Sequence, residues 1–146
     1  MNTKSQTKTV EAPRPLRRYF TVEQADMSLT YVSKITHDIR ASYRRAVELQ
    51  ERLDETPAAA EGGPIRLEYE ATISALNRYV DELNDVGVEL KDYEIGLVDF
   101  PAMHEGRQVS LCWKHGEKKI AAWHELDAGF SGRKPVDALT RVETKG

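Results

Sequence analysis

The sequence has little of several features that characterise other classes of protein. It holds one cysteine, Cys112, among 146 residues, so an internal disulfide is excluded and an all-cysteine metal site would need several chains. No apolar run approaches the roughly 20 residues of a membrane span, and the first residues lack the apolar segment of a secretory signal. The net charge of −3 argues against a nucleic-acid-binding protein that depends on bulk positive charge. These absences predict a cytoplasmic protein with no membrane contact.

What the sequence does contain is typical of one globular domain. Charged residues make up 31% and hydrophobic residues 40%, which excludes collagen-like and wholly disordered chains. A chain of this length buries roughly two-thirds of its unfolded surface, so it needs no disulfide or metal to fold. We predict a disordered basic tail over 1–18, a single domain over 19–136 and a flexible tail over 137–146.

Two long amphipathic helices are predicted over 21–56 and 64–86. Thr21 begins the first helix with a capping box, and the apolar positions after it repeat at three- and four-residue steps. Pro57 ends that helix, and Gly87 fits a left-handed cap at the end of the second. Because the connection is short, the two helices should lie antiparallel.

The first predicted helix is longer than the second, so part of its apolar face needs another partner. Met27, Leu29 and Val32 lie in the stretch that extends past the second helix. We expect these three side chains to pack on the sheet that follows. A second copy of the chain is the alternative partner, which favours a homodimer.

After Gly87 the period of the apolar residues changes from helical to alternating. Strand-like runs separated by turn signals predict a three-stranded antiparallel meander within 88–124, with a fourth strand if 88–90 pairs. The predicted fold class is therefore α+β, a long antiparallel helical hairpin followed by a small meander of three to four strands. The three runs are Leu97–Phe100, Val109–Trp113 and Lys119–Trp123.

The predicted strand register assigns side chains to two faces. A tight turn at His115–Gly116 would set Leu111 opposite Ile120, on a face that packs against the helices. The other face would be polar and aromatic. Its predicted members are Asp99, Ser110, Cys112, Trp123 and Glu125.

No familiar catalytic signature is present in the sequence. Glycine-rich phosphate loops, nucleophile elbows and His-Glu-x-x-His helices are absent.

Most of the candidate metal ligands lie near the end of the last predicted strand. Neighbouring strand residues point to opposite faces, so adjacent ligands converge only if the strand ends between them. The alternative is a hydrogen-bonded cluster without metal. The candidate ligands for a divalent metal are Asp99, His124, Glu125 and Asp127.

The same region supplies candidates for binding a small ligand. Asp99 interrupts an apolar strand, so it needs a partner such as Arg107 or Arg133, in a pair that holds either the fold or a ligand. Cys112 is either an inert buried thiol or a nucleophile served by a nearby histidine. The tryptophans are either core anchors or stacking platforms. The candidate ligand-binding residues are Asp99, Cys112, Trp113, Trp123 and Arg133.

Four phrases of the sequence are unusual: YFTVEQA, GLVDFPA, LCWKHGE and AWHELDAGFSGRKPV. With the two helical stretches between them, they resemble an uncharacterised bacterial family, domain of unknown function 2203, over roughly 18–136. The resemblance implies a stand-alone bacterial cytoplasmic domain and carries no activity with it. The family's motif positions correspond here to Asp99, Trp113, His124, Glu125 and Arg133.

Two functions remain open from the sequence. The first is a self-associating or partner-binding module with a polar and aromatic site on the sheet. The second is a small-ligand or divalent-metal-binding protein, with or without enzymatic activity, that uses Asp99, His124, Glu125 and Arg133. DNA binding through the basic tail has little support, because the first helix mixes its charges.

Overall fold

The computed structural model describes residues 18–56, 63–137 and 139. Two helices, α1 (Val22–Asp54) and α2 (Gly63–Val86), precede a five-stranded antiparallel sheet in the order β1-β2-β3-β4-β5. This arrangement confirms the predicted α+β fold, a helical hairpin followed by an antiparallel sheet, and adds a fifth strand. The strands are β1 (Glu89–Asp92), β2 (Leu97–His104), β3 (Arg107–Lys114), β4 (Ala122–Glu125) and β5 (Lys134–Pro135), with a 3-10 helix at Phe130–Gly132.

The helix boundaries follow from local chemistry. The hydroxyl of Thr21 accepts from the backbone N–H of Gln24, and the Gln24 side chain accepts from the backbone N–H of Thr21, both at 3.0 Å. Gly87 ends α2 with a φ of 97°, a left-handed conformation that glycine adopts without strain. No helix of the described residues is long and apolar enough to cross a membrane. Pro57 and the two predicted tails, apart from Arg18, Asp137 and Leu139, lie outside the described residues.

The N-terminal half of α1 packs into the core as its apolar spacing predicts. Leu29 and Val32 are buried in the cluster that includes the sheet. Met27 is 81% exposed, so the expectation that it packs on the sheet is wrong. At 100° per residue, position 27 points about 200° away from Ala25 and Leu29, which places it on the outside of the helix.

The hydrophobic core lies between the helical hairpin and one face of the sheet. Leu76 and Leu83 of α2 join the apolar stripe of α1 on one side. The ring of Phe20 meets that of Phe100 edge to face, with centroids 5.1 Å apart. The sheet residues of this core are Val98, Phe100, Ala102, Val109, Leu111, Trp113 and Trp123.

The register between β3 and β4 differs from the predicted one. Leu111 lies opposite Trp123 rather than Ile120, a shift of three residues. The chain does turn after Lys114, but it continues through 115–121 before pairing resumes, and the backbone N–H of Ile120 donates to the Asp26 carboxylate of α1 at 2.6 Å. A shift by an odd number of residues exchanges the two faces of a strand. Trp123 therefore points into the core, and its predicted place on the outer face is wrong.

Candidate functional site

Three side chains of different chemistry meet on the face of the sheet that points away from the helices. Asp99 on β2 lies opposite Cys112 on β3, and His124 on β4 lies opposite Ser110, two residues from Cys112. One ligand atom from each of Asp99, Cys112 and His124 lies within 4.8 Å of the other two. We call these three residues the Asp-Cys-His cluster.

The Asp-Cys-His cluster is buried although it lies on the outer face. Asp99 and His124 are each 4% exposed, and Cys112 is fully buried. Burying a carboxylate is costly unless a partner or a cation compensates for the lost hydration. The cluster must therefore balance its own charge internally or with a bound ion.

Hydrogen bonds fix the ring of His124. Its Nδ1 lies 2.7 Å from the backbone carbonyl oxygen of Glu125, which only accepts, so Nδ1 donates. Nε2 lies 3.3 Å from each carboxylate oxygen of Asp99. Two lone pairs do not face each other at this distance without a bridging positive charge. A proton or a metal cation must therefore lie between Asp99 and His124.

Burial determines the protonation of the other two members. It raises the pKa of Cys112 to about 12, with the charge of Asp99 adding to the effect. Burial also raises the pKa of Asp99, although the neighbouring His124 partly offsets that shift. The thiol is therefore protonated at neutral pH unless a cation replaces its proton.

The geometry does not favour Cys112 as a nucleophile. A cysteine nucleophile needs a base that accepts its proton. His124 uses Nδ1 on a backbone carbonyl and Nε2 on Asp99, and His115 uses Nδ1 on Arg40 at 3.2 Å. Neither histidine is arranged to accept the thiol proton.

Arg133 lies beside the cluster and is paired with a carboxylate other than Asp99. Its Nη2 donates to both carboxylate oxygens of Glu117, at 3.1 and 3.2 Å, and contacts the carbonyl oxygen of Cys112 at 3.4 Å. Arg107, the other predicted partner of Asp99, pairs with Glu125 instead, at 2.6 and 3.0 Å. Asp99 therefore has His124 as its partner, and neither arginine.

The structure brings only two of the four predicted metal ligands together. Asp99 and His124 meet, while Glu125 extends from the opposite face of β4 to Arg107. Asp127 is exposed in the turn after β4. Cys112, which is not among the metal ligands predicted from the sequence, takes the third position.

Both tryptophans point to the core side of the sheet, so neither forms a platform beside the cluster. Trp113 donates from Nε1 to the backbone carbonyl of Glu117 at 2.9 Å. The ring of Trp123 lies between His104 and Lys134, with separations of 5.0 and 4.9 Å. Both side chains belong to the hydrophobic core, as the core-anchor alternative predicts.

A local turn in the sequence predicts that Asp99 lies opposite Cys112, but no local feature predicts the position of His124. Glu105 and Gly106 both have positive φ, 50° and 80°, so the β2–β3 hairpin turns there and sets Cys112 opposite Asp99. The β3–β4 connection also turns at His115–Gly116, where the backbone N–H of Glu117 donates to the Lys114 carbonyl at 3.0 Å, but β4 begins only at Ala122. That turn therefore does not set the register that brings His124 to the cluster.

Comparison with protein families gives a match over residues 18–136 to a family described as "Uncharacterized conserved protein (DUF2203)". Neither the curated proteins nor the solved structures contain a match to the chain.

Proposed function

The chain belongs to the DUF2203 family, and we propose that it is a divalent-metal-binding protein whose metal is held by Asp99, Cys112 and His124. The observation that carries this proposal is the convergence of three buried ligating side chains within 4.8 Å, from three adjacent strands. Two of their atoms, Nε2 of His124 and a carboxylate oxygen of Asp99, are 3.3 Å apart. Two ligands of a tetrahedral zinc ion at about 2.0–2.1 Å are separated by roughly 3.4 Å.

The charge of the cluster supports a divalent ion. A carboxylate, a thiolate and a neutral imidazole together carry −2, which a divalent cation neutralises. A metal would replace the proton between Asp99 and His124 and the proton on Cys112, so that no net charge stays buried. Thiolate and imidazole ligands favour zinc or a similar transition metal over magnesium or calcium.

The hydrogen bond on the other side of the His124 ring supports the same proposal. Ligating histidines generally donate their second ring N–H to a carbonyl or carboxylate, which fixes the free nitrogen toward the metal. Nδ1 of His124 does this with the carbonyl of Glu125. The ring is therefore oriented with Nε2 toward the centre of the cluster.

Three protein ligands leave one coordination position of a tetrahedral metal for water or a ligand. Structural zinc sites are usually closed by four protein ligands, whereas catalytic sites keep one position open. The proposed site follows the second pattern. Its thiol would stay available in the cytoplasmic location predicted from the sequence, where cysteines are kept reduced.

The proposal is tested by purifying the full chain without a histidine tag or chelator and measuring metal content. We expect about one equivalent of zinc or added cobalt, with a thiolate-to-cobalt charge-transfer band. Cys112→Ser should abolish that band, and Asp99→Asn should weaken metal binding by about 10–100-fold or more. Asp127→Asn is the control, because Asp127 is exposed and outside the cluster.

Two results would overturn the proposed metal site. A chain that retains no metal, and whose melting temperature does not change with zinc, cobalt, nickel or manganese, would leave Asp99 and His124 as a structural ion pair. A charge-transfer band that persists in Cys112→Ser would also overturn the proposed ligand set.

Self-association through α1 is a second candidate function. Met27 and Tyr31 lie one helical turn apart and are 81% and 52% exposed. In a two-fold dimer the same surface of each copy would cover the other. Sedimentation at micromolar concentration should show a dimer that Met27→Lys with Tyr31→Ser dissociates, and a strictly monomeric wild type would overturn this candidate.

A further inference from the structure

We infer that Arg133 binds one oxygen of an oxyanion ligand, a carboxylate or a phosphate, whose other oxygen occupies the open position of the metal. This inference rests on the proposed metal site. The Nε–H of Arg133 is buried and has no hydrogen-bond partner among the described residues. Buried donors in native proteins are nearly always paired, so an unpaired one calls for a functional explanation.

The two arginines near β4 differ in how they meet their carboxylates. Arg107 pairs with Glu125 through two nitrogens, Nε at 3.0 Å and Nη2 at 2.6 Å. Arg133 contacts both oxygens of Glu117 through Nη2 alone. Its side-on edge therefore keeps one unused donor, Nε–H, which can bind a single oxygen of a carboxylate or phosphate.

The backbone places Arg133 at the cluster. Residue 133 directly precedes β5, which pairs with β4 through Trp123–Lys134 and Ala122–Pro135. The next step along the two chains brings Arg133 alongside His124. The guanidinium also reaches β3, because Nη2 contacts the carbonyl oxygen of Cys112 at 3.4 Å. Arg133 thus contacts the backbone of Cys112 and neighbours His124 in the register of the sheet.

Other contacts hold the guanidinium in place. The Phe130 ring lies under it, with the Cζ atom 4.9 Å from the ring centroid. The carboxylate of Glu117 is itself fixed, because it accepts from the backbone N–H of Lys114 at 2.9 Å. A donor held from several sides binds a ligand with a smaller loss of side-chain entropy.

The two positive centres that a bridging ligand would touch, rather than the net charge of the site, favour an anion over a neutral ligand. With a divalent metal the cluster is neutral, and the charge of Glu117 only balances that of Arg133. An anion that bridges the metal and Arg133 would interact with two positive centres, each of which attracts oxygen. A neutral ligand would use the metal position but would gain little from Arg133.

The test uses the full chain loaded with cobalt, with inorganic phosphate and acetate as separate probes. Binding of either anion at the open position should change the d–d spectrum of cobalt in a saturable way. Arg133→Lys should weaken that binding by about tenfold or more, because lysine cannot keep the pair with Glu117 and also present a separate donor at the position of Nε. Arg107→Lys is the matched control and should change the affinity less than about twofold, since Arg107 lies on the other face.

A second variant guards against a folding defect in Arg133→Lys. Glu117→Gln keeps the shape of the side chain and removes the charge that competes with the anion, so it should strengthen anion binding several-fold. The response to phosphate alone or acetate alone identifies the class of oxyanion.

Several outcomes would overturn the inference. Stoichiometric cobalt binding with no spectral response to either anion would exclude the oxyanion role and leave the proposed metal site intact. Equal affinities in wild type, Arg133→Lys and Glu117→Gln would exclude Arg133 as the donor. Failure to bind cobalt at all would remove the proposed function and this inference together.

Discussion

Nε2 of His124 lies 3.3 Å from both carboxylate oxygens of Asp99, while Nδ1 of the same ring is fixed 2.7 Å from a backbone carbonyl. This arrangement leaves one side of a buried imidazole facing a buried carboxylate. Either a proton or a cation must join them, and both cases make each residue strongly dependent on the other.

Loss of one partner should be costly in the metal-free protein. His124→Gln leaves the buried Asp99 carboxyl without its ring partner, so we expect the free energy of unfolding to fall by about 3–5 kcal/mol. Asp99→Asn combined with His124→Gln should cost less than the two single losses added together, because the partners interact. Urea unfolding of the three variants and wild type measures the coupling. Strict additivity would show that the two side chains do not interact.

Cys112 should react slowly with thiol reagents in the native protein. The side chain is fully buried, and burial raises its pKa to about 12, so little thiolate is present at neutral pH. Labelling with a disulfide reagent should be slow in buffer and fast in urea. Bound zinc should slow native labelling further. Native labelling as rapid as that of a free thiol would contradict the observed burial.

Gly96 should be far less tolerant of alanine than Gly106. A Cβ on Gly96 would lie 2.8 Å from side-chain atoms of Arg40 and His115, at a φ of 73°. Gly106 has a similar φ of 80°, but nothing lies within 4 Å of its Cβ position. We expect Gly106→Ala to cost about 1 kcal/mol from the backbone alone, and Gly96→Ala about 2–4 kcal/mol. Equal costs, measured by thermal or urea unfolding, would show that the contacts around Gly96 relax freely.

The pair between Glu125 and Arg107 should make a small, pH-dependent contribution to stability. The hydrogen bond from Arg107 lowers the pKa of Glu125 below its ordinary value of 4.5. A carboxyl with a lowered folded-state pKa contributes its stabilisation above the unfolded pKa and loses it as the pH falls through the folded pKa. The stability difference between wild type and Glu125→Gln should therefore be present at neutral pH and disappear in acid. A difference that grows toward low pH in a series of urea titrations would contradict this sign.

Local signals in the sequence predicted the helical part of the fold well. The capping box at Thr21 and the left-handed position at Gly87 are decided within a few residues, and both are present as predicted. The helical period of the apolar residues likewise fixed which side of α1 is buried. Met27 is the exception, because it lies about 200° around the helix from the buried Ala25 and Leu29 and is 81% exposed.

The candidate site was only half predictable, since its two halves depend on different kinds of contact. Asp99 and Cys112 face each other across a hairpin whose turn is local, so the sequence places them on one face. His124 joins them through the register of β4, and the segment before that strand is held by a hydrogen bond between Ile120 and Asp26, residues 94 positions apart in the chain. A pattern of a few neighbouring residues cannot reveal a contact between residues so far apart in the sequence.

The sequence alone therefore determined the helical hairpin, the antiparallel meander that follows it and the single cysteine that any thiolate ligand must come from. Only the tertiary structure decided which of two adjacent residues, His124 or Glu125, faces Asp99 and Cys112. The physical reason is the two-residue period of a β-strand, in which a shift of three positions exchanges the faces. With this register the Glu125 side chain pairs with Arg107, and the His124 side chain lies in the buried cluster on the other face.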